Sequence, residues 1–134
     1  HAMTITNTQL IRDALGILGV LAETESASPE QLQLGLRVLN EIMAAWERKG
    51  VDLEYHAQTI SDAGQQTPVP DVAIGAVKYS LAFALATYFP ANPMSAAAVL
   101  TMDELRGIVE RDAVLDSMKP SSLTHMPLGR DFLS

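Results

Sequence analysis

The stretch SPEQLQLGLRVLNEIMAAWERKG, residues 28 to 50, carries the clearest helix signal in the chain. Ser28 is a favourable N-cap, Pro29 suits the first helical position, and Gln31 completes a capping box with Ser28. Gly50 follows two cations, which is typical of a helix C-terminus. Between these ends, apolar side chains recur at intervals of four, three, four and three residues: Leu32, Leu36, Leu39, Met43 and Trp46.

This second helix has a second apolar row, formed by Leu34, Val38 and Ile42. Two apolar rows predict a helix that lies between neighbours rather than on a surface. Trp46, the only tryptophan, ends the first row, and we expect it to be a core residue. Tryptophan is also enriched in interface hot spots, so an anchor between subunits is the alternative.

Three further helices are predicted from apolar periodicity. The first runs from about Thr8 to Leu21 and is weakened by Gly16 and Gly19. Its apolar face comprises Leu10, Ile11, Ala14, Leu15, Leu18 and Leu21. The third runs from Asp71, its expected cap, to about Phe89. This helix is apolar nearly all round, with Lys78 as its only charge, which favours a buried central helix over a membrane span.

The fourth helix starts at Asn92 or Ser95 and continues to about Asp116. Its expected buried face consists of Ala98, Met102, Leu105 and Val109. Residues 51–60 mix alternation with β-forming residues, so a short extended segment is expected there. The fold class that follows is all-α: a four-helix bundle-like domain with a short extended or β segment between the second and third helices.

The two ends of the chain differ from this domain in composition. His1 and Ala2 precede Met3 and are expected to be a vector remnant, so residues 1–2 are set apart. Residues 3–117 form the helical domain. Residues 118–134 are expected to be an extended C-terminal arm, since Pro120, Pro127 and Gly129 interrupt any helix there.

Composition sets limits on function. The formal net charge is −7, and an acidic surface disfavours tight binding to duplex DNA, which depends on Lys and Arg. The chain has no cysteine, so disulfides and thiolate chemistry are excluded. The polar stretch that follows Met3 is not expected to act as a signal peptide.

No constellation of residues predicts catalysis, a cofactor or a metal. The histidines, His1, His56 and His125, lack zinc-ligand spacing, and no phosphate-binding or nucleophile motif is present. Asp103 and Glu104, together with Glu110 and Asp112, could supply a carboxylate pair for a hydrolase. Solvated helix charges that pair with Arg106 and Arg111 explain them better.

The first two helices together resemble the head-to-tail adaptor proteins of tailed bacteriophages, in particular the head-completion factor that stabilises packaged DNA in short-tailed phages. The resemblance covers roughly residues 8 to 115. It is carried by Leu10, Ile11, Ala14, Leu15, Leu18, Gly19, Val20 and Leu21, then by Leu36, Leu39, Asn40, Ile42, Trp46 and Gly50, and by Pro70, Asp71 and Ala76. The chain departs from the family in having only about twenty residues between Gly50 and Asp71, where such proteins often carry a longer β-containing insertion.

The resemblance implies a non-enzymatic virion protein at the head–tail junction, assembled in the cytoplasm of the bacterial host. Such a protein forms a ring, here expected to contain twelve copies, beneath the portal protein, and it can be a monomer in isolation. The ring extends and seals the DNA channel without sequence-specific binding, and it is a platform for a nozzle or stopper protein of the tail. The arm is expected to contact the portal or a neighbouring subunit through Leu123, Met126, Pro127, Leu128, Phe132 and Leu133.

A soluble helical protein-interaction or regulatory module, with no role in a virion, is the alternative. It fits the same helical composition, and it predicts a stable small oligomer that is indifferent to portal rings.

Overall fold

The computed structural model describes residues 5–118, and within them four α-helices and three short 3-10 turns form the fold. The helices are α1 (Asn7–Ile17), α2 (Pro29–Arg48), α3 (Ile74–Leu85) and α4 (Ala96–Ser117). The 3-10 turns are Ile60–Asp62, Asp71–Ala73 and Ala86–Tyr88. The predicted all-α, four-helix architecture is therefore confirmed, whereas the predicted arm lies outside the described residues from position 119 onward.

The local signals predict the starts of α2 and α4 correctly but not that of α3. The Ser28 hydroxyl accepts the Gln31 N–H at 3.1 Å, and the Gln31 side chain accepts the Ser28 N–H at 2.8 Å, which confirms the capping box. Of the two starts predicted for α4, Ser95 is the observed one. The expectation that Asp71 caps the third helix is wrong. Asp71 already lies inside a 3-10 turn, and α3 begins after Ala73 without a side-chain cap.

Helices α1 and α2 end in the same hydrogen-bonded motif, with a glycine in the left-handed region just past the end. After α2, Gly50 has φ +94°, its N–H bonds the Glu47 carbonyl, and the Val51 N–H bonds the Trp46 carbonyl, each at 3.0 Å. This is the Schellman arrangement, in which the residue after the glycine also packs against the helix. Trp46 and Val51 are both buried, so the tryptophan closes the helix end within one chain.

The end of α1 differs from the prediction. Gly19 has φ +72°, its N–H bonds the Gly16 carbonyl, and the Val20 N–H bonds the Leu15 carbonyl. The helix thus stops at Ile17 rather than at Leu21. Leu21 remains buried although it lies outside the helix, which is why apolar spacing alone placed the boundary too late.

Helix α3 is the centre of the bundle, as its uniform apolarity predicted. It packs against α1, α2 and α4, and its buried residues are Ala76, Val77, Ser80, Leu81, Ala82 and Leu85. Helix α4 packs chiefly against α3 and buries Met102 and Val109 there. In the part of the chain described here, none of the helices has the length and apolarity needed to cross a membrane.

The connection between α2 and α3 is extended in part but contains no strand among the described residues. Residues 51–59 have no regular secondary structure, and Glu54 has φ +57°, which interrupts the backbone geometry a strand needs. The β pairing observed within residues 5–118 is an isolated antiparallel bridge between Thr6 and Gln66. The expected extended or β segment therefore forms no strand within the described residues.

Candidate functional site

Asn40, on α2, holds the α2–α3 connection in place through its side chain. Its Oδ1 accepts hydrogen bonds from the Tyr55 hydroxyl at 2.6 Å and from the Gln58 N–H at 2.9 Å. Its Nδ2 donates to the Gln58 carbonyl at 2.9 Å. One amide side chain thus satisfies both backbone groups of a buried residue, the task that a neighbouring strand would perform in a sheet.

Asn7, the first residue of α1, binds the same connection from the other side. Its side chain is fully buried, and its Nδ2 donates to the Gln58 Oε1 at 2.8 Å and to the Asp62 carbonyl at 3.1 Å. The Gln58 Nε2 in turn donates to the His56 carbonyl at 2.9 Å. We call Asn7, Asn40, Tyr55 and Gln58 the amide cluster. It joins α1, α2 and the connection into one unit.

The phenol of Tyr55 acts in this cluster as a hydrogen-bond donor. Burial raises the pKa of Tyr55 well above its ordinary value, and the nearby Asp62 carboxylate raises this pKa further. The hydroxyl therefore keeps its proton at neutral pH and remains a donor to Asn40. The hydrogen-bond partner of the phenol is the Asn40 amide, which neither takes up nor releases a proton. We therefore attribute the raised pKa of Tyr55 to its packing in the fold and not to acid–base catalysis.

Beside the amide cluster, a groove of about 790 Å³ runs between the outer side of α2 and residues 58–60. Leu34 and Leu36 are apolar residues on its α2 side, whereas Arg37 and Glu41 are exposed charged residues of opposite sign. The full lining is Glu30, Gln33, Leu34, Leu36, Arg37, Asn40, Glu41, Gln58, Thr59 and Ile60. A lining that mixes apolar and charged side chains is typical of protein–protein contact surfaces.

Arg37 also connects this groove to the far end of α3. Its guanidinium lies 5.7 Å from the centre of the Tyr88 ring, within the range of a cation–π interaction. Tyr88 is 47% exposed, and Phe83, on the preceding turn, is 51% exposed. The outer sides of α2 and α3 therefore carry both charge and accessible aromatic surface.

The residues of the family signature lie mostly inside the fold. Leu15, Leu36, Leu39 and Trp46 are buried, and Asn40 is the centre of the amide cluster. Gly50 ends α2, Pro70 precedes the 3-10 turn, and Asp71 is exposed within that turn. The predicted contact residues of the arm (Leu123, Met126, Pro127, Leu128, Phe132 and Leu133) lie outside the described residues. The signature residues therefore stabilise the fold, and a contact with another molecule would have to use exposed side chains.

Two groups of residues were not predicted from the sequence. Asn7, Tyr55 and Gln58 belong to the amide cluster, and the spacing of Asn7 from Leu10 and Ile11 is the one signal that placed it on the buried face. The second group consists of exposed apolar residues before α3 and along α4: Val72, Leu100, Ile108, Val114, Leu115 and Met118. Those on α4 are spaced so that they fall opposite Met102 and Val109.

Asp103, Glu104 and Asp112 on α4 are exposed, as expected for solvated charges, but none of them forms the predicted ion pair with Arg106 or Arg111 within residues 5–118. Within residues 5–118, the ion pair present is Arg12 with Asp13, at 3.8 Å, and it is in α1. Asp103 and Glu104 have no ion-pair partner in that part of the chain. Over the same residues, no group of three His, Cys, Asp or Glu side chains is placed to hold a metal ion.

Comparison with known proteins adds no assignment to this geometry. Neither a family model nor a curated protein matches the chain.

Proposed function

We propose that the protein is a non-enzymatic virion structural protein, a head-to-tail connector of a tailed bacteriophage. In this role it binds the portal, extends and seals the DNA channel, and forms the platform to which the tail attaches. The observation that carries the proposal is the signature itself, whose residues, in the order typical of that family, fall on one structural unit. This unit consists of α1, α2, the connection that Asn40 holds in place and the start of α3, where Ala76 lies.

The exposed faces of this unit support assembly into a ring. A ring of identical subunits needs two different surfaces on each copy, which meet side by side and close by rotation. The groove beside α2 and the aromatic surface of Phe83 and Tyr88, which meet at Arg37, supply one of these two surfaces. We assign the contacts between copies in a ring of twelve to these sides of α2 and α3.

The acidic balance of the chain supports its role around DNA. With a net charge of −7, the protein repels phosphate, so packaged DNA passes a wall that does not retain it. We assign residues 119–134 to a contact with the portal or a neighbouring subunit, since an arm with apolar anchors can become ordered on a partner at an entropic cost. Deletion of residues 119–134 tests this assignment. Portal capture that is unchanged by the deletion would contradict it.

The connector proposal is tested by mixing the protein with portal rings of the same phage and imaging the mixture by negative-stain electron microscopy. A connector should add density to one face of each ring. A protein that leaves the rings bare and stays a small oligomer would instead be the soluble interaction module.

A matched pair of substitutions tests the ring surface. Arg37→Glu reverses the charge in the α2 groove, and we expect it to lower the fraction of decorated portal rings. Lys49→Glu makes the same change of charge at the end of α2, outside the groove, and should leave decoration unchanged. Equal decoration by both variants, with melting like that of the parent chain, would remove the groove from the assembly surface.

A further inference from the structure

Helix α4 has a second apolar face, opposite the one that packs on α3. Leu100, Ile108, Leu115 and Met118 are exposed by 70%, 40%, 57% and 63%. At 100° per residue, these four side chains fall within a sector of about 80°. Met102 and Val109, exposed by 3% and 7%, lie on the other side of the helix. A helix that is apolar on two sides is expected to bury both of them.

The charges on this outer face have a regular arrangement. Glu104 and Arg111 are both exposed, and their separation of seven residues, two helical turns, places them on the same face. The midpoint between them lies between Gly107 and Ile108. An acid on one side of that midpoint and a base at the same distance on the other make the face complementary to itself when two copies run antiparallel.

We propose that the outer face of α4 binds α4 of a second copy of this chain, antiparallel, about a twofold axis near Gly107 and Ile108. In this register Glu104 faces the partner's Arg111, and the symmetry repeats the pair. Leu100 faces the partner's Leu115. A parallel pair in register would instead place Glu104 beside the partner's Glu104 and Arg111 beside the partner's Arg111, which is repulsive.

Gly107 supports this placement of the axis. A glycine in a helix interior makes the helix less stable than an alanine would. At Gly107, an added Cβ would meet nothing within 4 Å in its own chain. The packing of the monomer therefore does not require this glycine. At the centre of a helix pair, the missing side chain lets the two backbones approach closely beside Ile108.

This contact goes beyond the connector role, because it concerns the isolated chain and uses α4 rather than the α2 and α3 sides assigned to the ring. It extends about 27 Å along one helix, from Leu100 to Met118. Contacts of this extent are at the small end of specific interfaces, so we expect micromolar association. Its failure would leave the portal-decoration test unaffected.

The first experiment is sedimentation equilibrium of the full chain across the micromolar range, where a monomer–dimer equilibrium is expected. Glu104→Arg faces the partner's Arg111 with a like charge, and we expect it to weaken the dimer by about tenfold or more. The double variant Glu104→Arg with Arg111→Glu restores opposite charges and should recover the dimer. Glu47→Arg, the same change at an exposed residue of α2 outside the groove, is the control and should leave the dimer unchanged. A monomer at all concentrations, or no recovery in the double variant, would overturn the proposal.

The second experiment uses the absence of cysteine, which makes single-cysteine variants unambiguous. Gly107→Cys lies next to the axis and should form a disulfide with its own copy, since a disulfide requires Cα atoms within about 7 Å. Leu100→Cys lies far from the axis and should cross-link with Leu115→Cys in a mixture but not with itself. Equal self-cross-linking of Gly107→Cys and Leu100→Cys would refute the antiparallel register.

Discussion

Asn40→Ala should destabilise the protein more than its position on a helix surface would indicate. The substitution removes three hydrogen bonds, to the Tyr55 hydroxyl and to the N–H and C=O of Gln58. Each such bond contributes about 0.5–1.5 kcal/mol, and leaving the buried backbone groups of Gln58 without partners costs about 1–3 kcal/mol. Gln58 is only 6% exposed, so water does not readily replace the lost amide. We expect a loss of about 3 kcal/mol in the free energy of unfolding.

Urea denaturation followed by circular dichroism measures this loss, and Tyr55→Phe is its matched control. The control removes one of the three bonds and should cost about 1 kcal/mol. Hydrogen exchange adds a local readout, because the Gln58 amide should lose protection in Asn40→Ala and keep most of it in Tyr55→Phe. If the two variants lose the same stability, the Asn40 side chain does not hold the connection, and the amide cluster is not the unit described above.

Three further predictions concern the core and the alkaline range. Gly35→Ala would place a Cβ 2.5 Å from the Cγ2 of buried Ile11, so calorimetry should show a net loss of about 1–2 kcal/mol after the gain in helix propensity. Gly16→Ala meets open space and should instead gain about 0.5–1 kcal/mol; a gain at both sites would contradict the packing described for Gly35. Trp46→Ala should cost about 3–5 kcal/mol in urea denaturation, and a variant that melts like the parent would show that Trp46 is not core. The pKa of Tyr55 is raised in the folded state, so the free energy of unfolding should fall as pH rises above about 10, where the unfolded tyrosine ionises. Tyr55→Phe should lessen this fall. If the pH profiles of the variant and the parent chain are identical, Tyr55 is not its source.

The parts of the fold that were predicted correctly depend on neighbours in sequence. The capping box of Ser28 and Gln31 lies within four residues, and the central position of α3 follows from the lack of a polar side. The end of α1 was placed too late, because Leu21 continues the apolar spacing although Gly19 has already turned the chain. A glycine followed by an apolar residue, Gly19–Val20 after α1 and Gly50–Val51 after α2, is the local signal for both helix ends.

The amide cluster could not be predicted, because its bonds join residues far apart in sequence. Asn7 and Gln58 are separated by 51 residues, and Asn40 and Gln58 by 18. The sequence around each of these residues does not indicate which distant residue it will bond. Likewise, residues 51–60 have the composition of a strand, but the N–H and C=O of Gln58 bond the Asn40 side chain, and the positive φ of Glu54 interrupts a strand geometry. Tertiary contacts decided both outcomes.

Most signature residues are buried, whereas the groove beside α2 and the outer face of α4 are exposed. Substitutions that test function must therefore be made in the exposed residues. Trp46 and Leu39 carry the resemblance to the connector family, yet both are buried, so a change at either removes assembly by unfolding the chain. Such a result could not distinguish a connector from a soluble module. Arg37 and Glu104 are exposed, and neither is part of the signature. If Arg37→Glu and Glu104→Arg melt like the parent chain, a loss of portal decoration or of self-association in them reports on contact alone, and each result bears on a different surface.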